Sequence, residues 1–222
     1  MELYDVMRTT HAVRDFTDDP LPDDVLARIL DNARFAPSGG NRQGAHVVVV
    51  RSEETRERLV ELTATGARRY LAQQRAGESP WNTVHPTALT AEQIAETRVP
   101  RGMTEPLRTA PVVLVFLVDL AVVASLDSEL DRVGVVSGGS IYPLVWNTLL
   151  AARNEGFGGV ITTMAVAEEP ALLDLLGAPE GYAVAAVVPM GRPVKQLTRL
   201  RRQAVEEFVT LESFDGTPLG DD

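Results

Sequence analysis

From Ser137 to Ala152 the chain reads Ser-Gly-Gly-Ser-Ile-Tyr-Pro-Leu-Val-Trp-Asn-Thr-Leu-Leu-Ala-Ala, a helical stretch with too little polar surface to turn any face fully to water. Such a helix has two places to go: the centre of a domain, or the boundary between two subunits. Other elements have to be built around it. With 222 residues, of which 45% are hydrophobic, the chain has the material for one large domain with a substantial core.

Local patterns supply those elements. Leu3 to Met7 reads as a short first helix. Leu21, Val25, Ile29 and Ala33 recur at helical spacing, joined by Leu26 and Leu30, and Asp23 and Asp24 suit the positive end of that helix. His46 to Arg51 contains four consecutive valines, a β-branched run that predicts a strand covered on both faces. A third helix starts near Glu53 and passes through Leu59 and Leu62. Pro111 to Leu117 and Ala183 to Val188 predict further strands, and Glu169 to Leu176 a short acidic helix. Between Gly66 and Arg108 no register is sustained, which predicts a variable helical excursion or lid and a place for substrate specificity. No repeat or linker divides the chain, so residues 1–222 read as a single α+β domain.

Composition removes several kinds of chemistry. Thirty-one acidic residues against 21 basic ones leave a net charge of −10, the wrong sign for general attraction to nucleic acid or an anionic membrane. The absence of cysteine excludes disulfides, thiolate nucleophiles and cysteine-held metal centres, and no metal site is expected. The acidic start, Met1-Glu2-Leu3-Tyr4-Asp5, lacks the order of a secretion signal, and no apolar run approaches membrane-spanning length. A cytoplasmic location is the expectation. Walker, zinc-protease and nucleophile-elbow signatures are absent. Gly156-Phe157-Gly158-Gly159 begins like a dinucleotide fingerprint but lacks the final glycine and the helix that should follow.

Three segments carry more information. Arg8-Thr9-Thr10-His11-Ala12-Val13-Arg14 presents planar cationic donors and hydroxyls suited to phosphate, and Arg199-Leu200-Arg201-Arg202 offers the same chemistry near the other end. Equally, these charges read as a solvated surface. Ala36-Pro37-Ser38-Gly39-Gly40-Asn41-Arg42-Gln43 combines close backbone approach with donors and acceptors for a heterocycle or ribityl chain; alternatively it is a helix stop and a tight turn. Gly158-Gly159 exposes backbone to a flat ring or simply turns the chain. Tyr70, Trp81 and Phe157 read either as stacking surfaces or as packing, and His11 either as a phosphate contact or as a packed or surface residue.

Taken together and in order, these segments resemble the FMN-dependent nitroreductase family over nearly the whole chain. Arg8 to Arg14 followed by Asp15-Phe16 is similar to the family's basic and hydroxyl residues before Arg-x-Phe. Ala36 to Gln43 resembles its Ala-Pro-Ser-x-x-Asn-x-Gln element. Asn147 to Ala152 with Gly156 to Gly159 resembles its interface helix and Gly-rich turn, and Arg202 to Glu207 its C-terminal basic-x-x-hydrophobic-Glu-Glu pattern. Gly44-Ala45 replaces the Pro-Trp of many relatives, and Ala12 a common hydroxyl residue.

The resemblance implies a mixed, largely antiparallel sheet flanked by helices in an obligate, domain-exchanging homodimer with FMN at the interface. It implies phosphate contacts from Arg14 and Arg202, assisted by Arg8, Thr9, Thr10 and Arg201. Pro37, Ser38, Gly39, Asn41 and Gln43 would approach the flavin from the partner subunit, and the backbone of Gly158 and Gly159 would tune flavin N5, which carries the hydride. No side chain is needed as a catalytic nucleophile. Residues 203–222 would form a dimer arm, with Val205 to Leu211 wrapping onto the partner. The implied activity is an NAD(P)H-dependent oxidoreductase passing electrons by a ping-pong mechanism to a small aromatic or conjugated acceptor: a nitroaromatic, quinone or activated alkene. Alternatives on the same scaffold are a flavin-dependent dehydrogenase or oxidase, a reductive dehalogenase, and a non-catalytic flavin-binding or storage protein. Arg42, Arg69 and Arg101 are each candidate partners for the 2'-phosphate of NADPH, but their contexts do not decide between NADH and NADPH.

Overall fold

The computed structural model describes residues 1–220; the last two positions of the expected arm, Asp221 and Asp222, lie outside the described residues. Its centre is a four-stranded sheet: β1 (Ala45–Val50), β2 (Val112–Asp119), β3 (Gly158–Gly159) and β4 (Tyr182–Gly191), in the order β1-β2-β4-β3. Every pairing among these strands is antiparallel, so the expected mixed sheet is a purely antiparallel one over the described residues. The residues of β2 from Val112 to Val118 are all buried. Period-two alternation sends Val112, Leu114 and Phe116 to one face and Val113, Val115 and Leu117 to the other.

Helices cover both faces. On the first, α2 (Asp23–Ala33) contributes Leu26 and Ile29, and α6 (Tyr142–Asn154) contributes Val145, Leu149 and Ala152. On the second, α3 (Glu53–Arg75), α5 (Glu105–Thr109) and α7 (Glu169–Leu176) bring in Leu59, Leu62, Leu107 and Leu172. Removing a side chain of this size from water is worth about 1.5–3 kcal/mol, so the two apolar layers dominate the fold's stability. The remaining helices are α1 (Leu3–Thr9), which packs near α6, and α4 (Ala91–Ala95).

Three expectations need correction. The valine run forms an edge strand that is only partly covered: β1 pairs only with β2, Val47 packs on one apolar layer and Val48 and Val50 on the other, and Val49 is 42% exposed. The third helix does not stop at Gly66 but continues to Arg75, so the irregular excursion begins about ten residues later than the pattern suggests. The central apolar helix is preceded by a separate 3₁₀ turn, Val136–Ser140, and its Tyr142 and Trp146 stay exposed while its other face is core. Residues Val205–Glu207 form a single 3₁₀ turn, after which Thr210 and Pro218 bridge locally.

Candidate functional site

The N-terminal segment is fastened to the sheet by its apolar residues. Val13 donates its amide to Gly159 O (3.0 Å), Val13 and Phe16 are buried, and Phe16 bridges to Pro193. This leaves Arg14, between them, exposed at the edge of a cavity of about 280 Å³. The cavity is bordered by Val160 to Met164, the segment that follows β3, and by Tyr70, Gly102 and Met103 from the helical excursion. No carboxylate among the described residues lies within ion-pair distance of Arg8, Arg14, Arg201 or Arg202, whereas Arg28, Arg34, Arg51, Arg108 and Arg192 are all paired.

Thr9 and Thr10 behave differently from the arginines. Their hydroxyls donate to the carbonyls of Asp5 (2.6 Å) and Val6 (2.7 Å), one helical turn back, and Thr10 is buried. Thr9 Oγ1 also accepts from Arg153 Nε (3.0 Å). Both hydroxyl protons are therefore used inside the protein, leaving these side chains nothing to donate to an anion. Arg8 lies over the Tyr4 ring at 5.9 Å.

From the far end of the chain, Gln196 reaches this segment: its Nε2 donates to Thr9 O (2.9 Å) and lies 3.3 Å from His11 Nδ1. Nothing in the local sequence around Gln196 marks it for that role. Arg202 donates to Arg201 O (2.8 Å), and no hydrogen bond among the described residues joins this pair to Arg8–Arg14 within one subunit. The cavity at Arg14 is bordered by neither Arg201 nor Arg202.

Gly158 and Gly159 are glycines for reasons of packing. A Cβ on Gly158 would stand 2.7 Å from Val13 Cγ2, and one on Gly159 would stand 2.6 Å from Pro189 O. The close layering of the N-terminal segment, β3 and β4 requires both. Phe157, one residue earlier, is buried in the core with the Arg192 guanidinium 4.8 Å from its ring centroid, which settles it as packing.

The Ala36 to Gln43 loop is internally braced. Ser38 Oγ accepts the Gln43 amide (3.0 Å), Ser38 O accepts the Asn41 amide (2.8 Å), and Gly39 donates its amide to Ser140 Oγ (3.2 Å). Gly40, Asn41 and Gln43 all have φ between 52° and 62°, conformations that glycine and asparagine tolerate best. Pro37, Ser38 and Gln43 border a second cavity of about 470 Å³ shared with Arg34, Ser140 and Leu144. Its lining and that of the Arg14 cavity have no residue in common. One chain therefore presents two separate cavities, Arg14 with the Val160–Met164 segment at one and the polar loop at the other.

Comparison with known proteins supplies the family. The sequence model described as "Nitroreductase family" matches residues 7–192. The chain belongs to the nitroreductase family. Membership makes it an oxidoreductase by class. A protein inferred to be an NADH dehydrogenase/NAD(P)H nitroreductase in Methanothermobacter thermautotrophicus is 22% identical over 88% of this chain and 79% of its own length. One of the same description in Streptomyces griseus is 40% identical, but over only 28% of this chain, and this chain spans about a third (32%) of it. Among solved structures, oxidized iodotyrosine deiodinase bound to FMN and 3-iodo-L-tyrosine superposes with a TM-score of 0.69 at 21% identity, covering 96% of this chain and 100% of that one. The antiparallel sheet between helical layers is the fold of the nitroreductase-like flavoproteins.

Proposed function

We propose that this nitroreductase-family protein is an FMN-dependent NAD(P)H oxidoreductase that passes electrons to a small conjugated acceptor. The observation that carries the reading is the cavity in which Arg14, lacking a carboxylate partner among the described residues, faces the backbone that follows Gly158-Gly159. Its volume of about 280 Å³ falls just short of the usual range for a cofactor pocket, consistent with one wall coming from elsewhere. The donor set fits FMN: a guanidinium with no carboxylate partner among the described residues for phosphate, the Val160–Met164 backbone for a flat ring, and a polar loop for ring and ribityl atoms.

In this reading Arg14 holds the phosphate, aided by Arg8, Arg201 and Arg202, while Pro37, Ser38, Gly39, Asn41 and Gln43 serve the partner's site in a homodimer. Thr9 and Thr10 shape the segment rather than touch phosphate. A homodimer is supported by the two separate cavities, by the exposed Tyr142 and Trp146 on α6, and by a C-terminal segment that leaves Val205, Phe208 and Phe214 exposed. The arm of residues 203–222 would cover a neighbouring subunit. Bound FMN would supply reversible two-electron chemistry, and the protein's own task is to hold donor and acceptor in turn. Ping-pong kinetics follow from that alternation. Among the described residues no helix is long and apolar enough to cross a membrane.

The purified protein should be yellow, keep FMN through desalting and bleach anaerobically with NADH or NADPH. A flavin that stays oxidised with both donors overturns the assignment.

A further inference from the structure

The cavity at Arg14 shares part of its lining with a neighbour. Tyr70, Thr163 and Met164 border it and also border a cavity of about 420 Å³ that Pro80 and Trp81 help to enclose. That volume is in the range of a small-ligand pocket. Trp81 occupies it in an unusual state, with φ at 55°, a left-handed conformation rare for a bulky residue.

Three groups on α3 hold it there. The Trp81 amide donates to Gln73 Oε1 (3.0 Å), the indole Nε1 donates to Gly66 O (3.4 Å), and the Arg69 guanidinium lies 4.2 Å from the ring centroid. Gln73 is itself buried and donates to Glu78, whose carboxylate also accepts from Thr87 Oγ1 (2.6 Å) and the Ala88 amide (2.8 Å). The glutamine that holds the Trp81 amide is thus itself anchored through Glu78 to the Thr87–Ala88 segment, while the indole, among the residues that line the cavity, remains 41% exposed. Packing alone calls for neither the backbone strain nor the uncovered ring, and strain that the surroundings enforce gathers where ligands are met.

We propose that Trp81 is the specificity-determining wall of the acceptor pocket, selecting flat conjugated rings such as nitroarenes and quinones over puckered activated alkenes. The proposal rests on the oxidoreductase reading above. A flat ring gains offset stacking and full apolar contact with the indole, Tyr70 and Pro80, whereas a puckered ring covers less of the same surface. Gln73 and Arg69 are positioning residues that fix the indole.

Two measurements test this on the FMN-loaded protein. The chain has two tryptophans, so in a Trp146→Phe background Trp81 is the single indole. Without any electron donor, nitrobenzene is expected to quench its emission saturably and 2-methyl-2-nitropropane is not. In turnover, Trp81→Leu should raise KM for 1,4-naphthoquinone roughly fivefold, the size implied by losing one aromatic pair, and change KM for 2-cyclohexenone less than twofold. Trp81→Phe should restore most of the quinone affinity. Non-saturable quenching, or equal KM changes for the two acceptors, overturns the proposal. If the wild-type flavin is not reduced by either nicotinamide, the oxidoreductase reading fails, and the quenching titration still decides whether Trp81 lines a pocket for flat rings.

Discussion

Gly66, in the middle of α3, packs directly against the carbonyl oxygen of Met164, so closely that no Cβ fits between them. This contact brings α3 onto the 3₁₀ turn Met164–Glu168 and sets the wall shared by the two cavities beside Arg14. In an isolated helix, Gly66→Ala would help by about 1 kcal/mol. Here the new methyl meets backbone, which cannot turn aside, and overpacking of this kind costs about 1–3 kcal/mol. The expected result is net destabilisation, a fall in Tm of roughly 5 °C. A thermal melt with Tm unchanged or raised would show that the helix and the turn can separate freely.

The same glycine explains why the excursion was misplaced by sequence pattern. Glycine reads as a helix breaker, yet here it is demanded by a neighbour 98 positions away, and no local pattern encodes that contact. By contrast α2 was legible because Leu26, Ile29 and Ala33 obey one helical face, and α7 because Glu169 to Leu176 is bounded by Pro170 near its start and by Gly177 at φ 62°. The valine run announced a strand correctly but not its edge position, since β-branching reports backbone preference and not the number of neighbours. At the site, Arg14 and the Ser38 loop stood out by residue type. Trp81 stood out as an aromatic that could stack or pack, but its left-handed backbone did not, and neither did Gln196, because these depend on backbone geometry or on contacts made at long range.

Asp127 ties down the segment that leads to α6. Its carboxylate accepts from the amides of Val135 (2.7 Å) and Val136 (3.3 Å) and from Arg132 Nη1 (2.9 Å). The Val135 amide above all, then the Arg132 guanidinium, holds its pKa down to about 2 from an ordinary 3.8. A depressed carboxylate stabilises the fold fully above its unfolded value and loses that contribution as pH falls from about 4 towards 2. Protection of the Val135 and Val136 amides, relative to their intrinsic exchange at each pH, should therefore fall across that acid window. Asp127→Asn should show fast exchange already at neutral pH; protection equal to wild type would place the restraint elsewhere.

Val13 and Gly158 should behave as a coupled pair. Gly158→Ala drives a methyl towards Val13 Cγ2 and is expected to destabilise by about 1–3 kcal/mol. Val13→Ala removes the obstructing methyls and, by itself, leaves a small void. The double variant should be more stable than the sum of the single losses by roughly 1 kcal/mol, measured by urea unfolding. Simple additivity would mean that the glycine serves some purpose other than this contact.

FMN retention separates the residues that hold phosphate from those that only shape the segment. Arg14→Ala removes a charge-assisted donor with no internal partner and should weaken FMN binding roughly 10- to 100-fold by fluorescence titration. Arg202→Ala should act in the same direction if the partner subunit completes the clamp. Thr10→Val removes only the bond to Val6 O, so it should cost about 1 kcal/mol of stability and leave FMN affinity within twofold. His11→Ala should fall between these, because its ring nitrogen sits beside Gln196 and Thr9 O rather than at the Arg14 cavity. Unchanged affinity in both arginine variants would remove the phosphate assignment, and a Thr10→Val loss as large as that of Arg14→Ala would return the buried hydroxyl to the binding site.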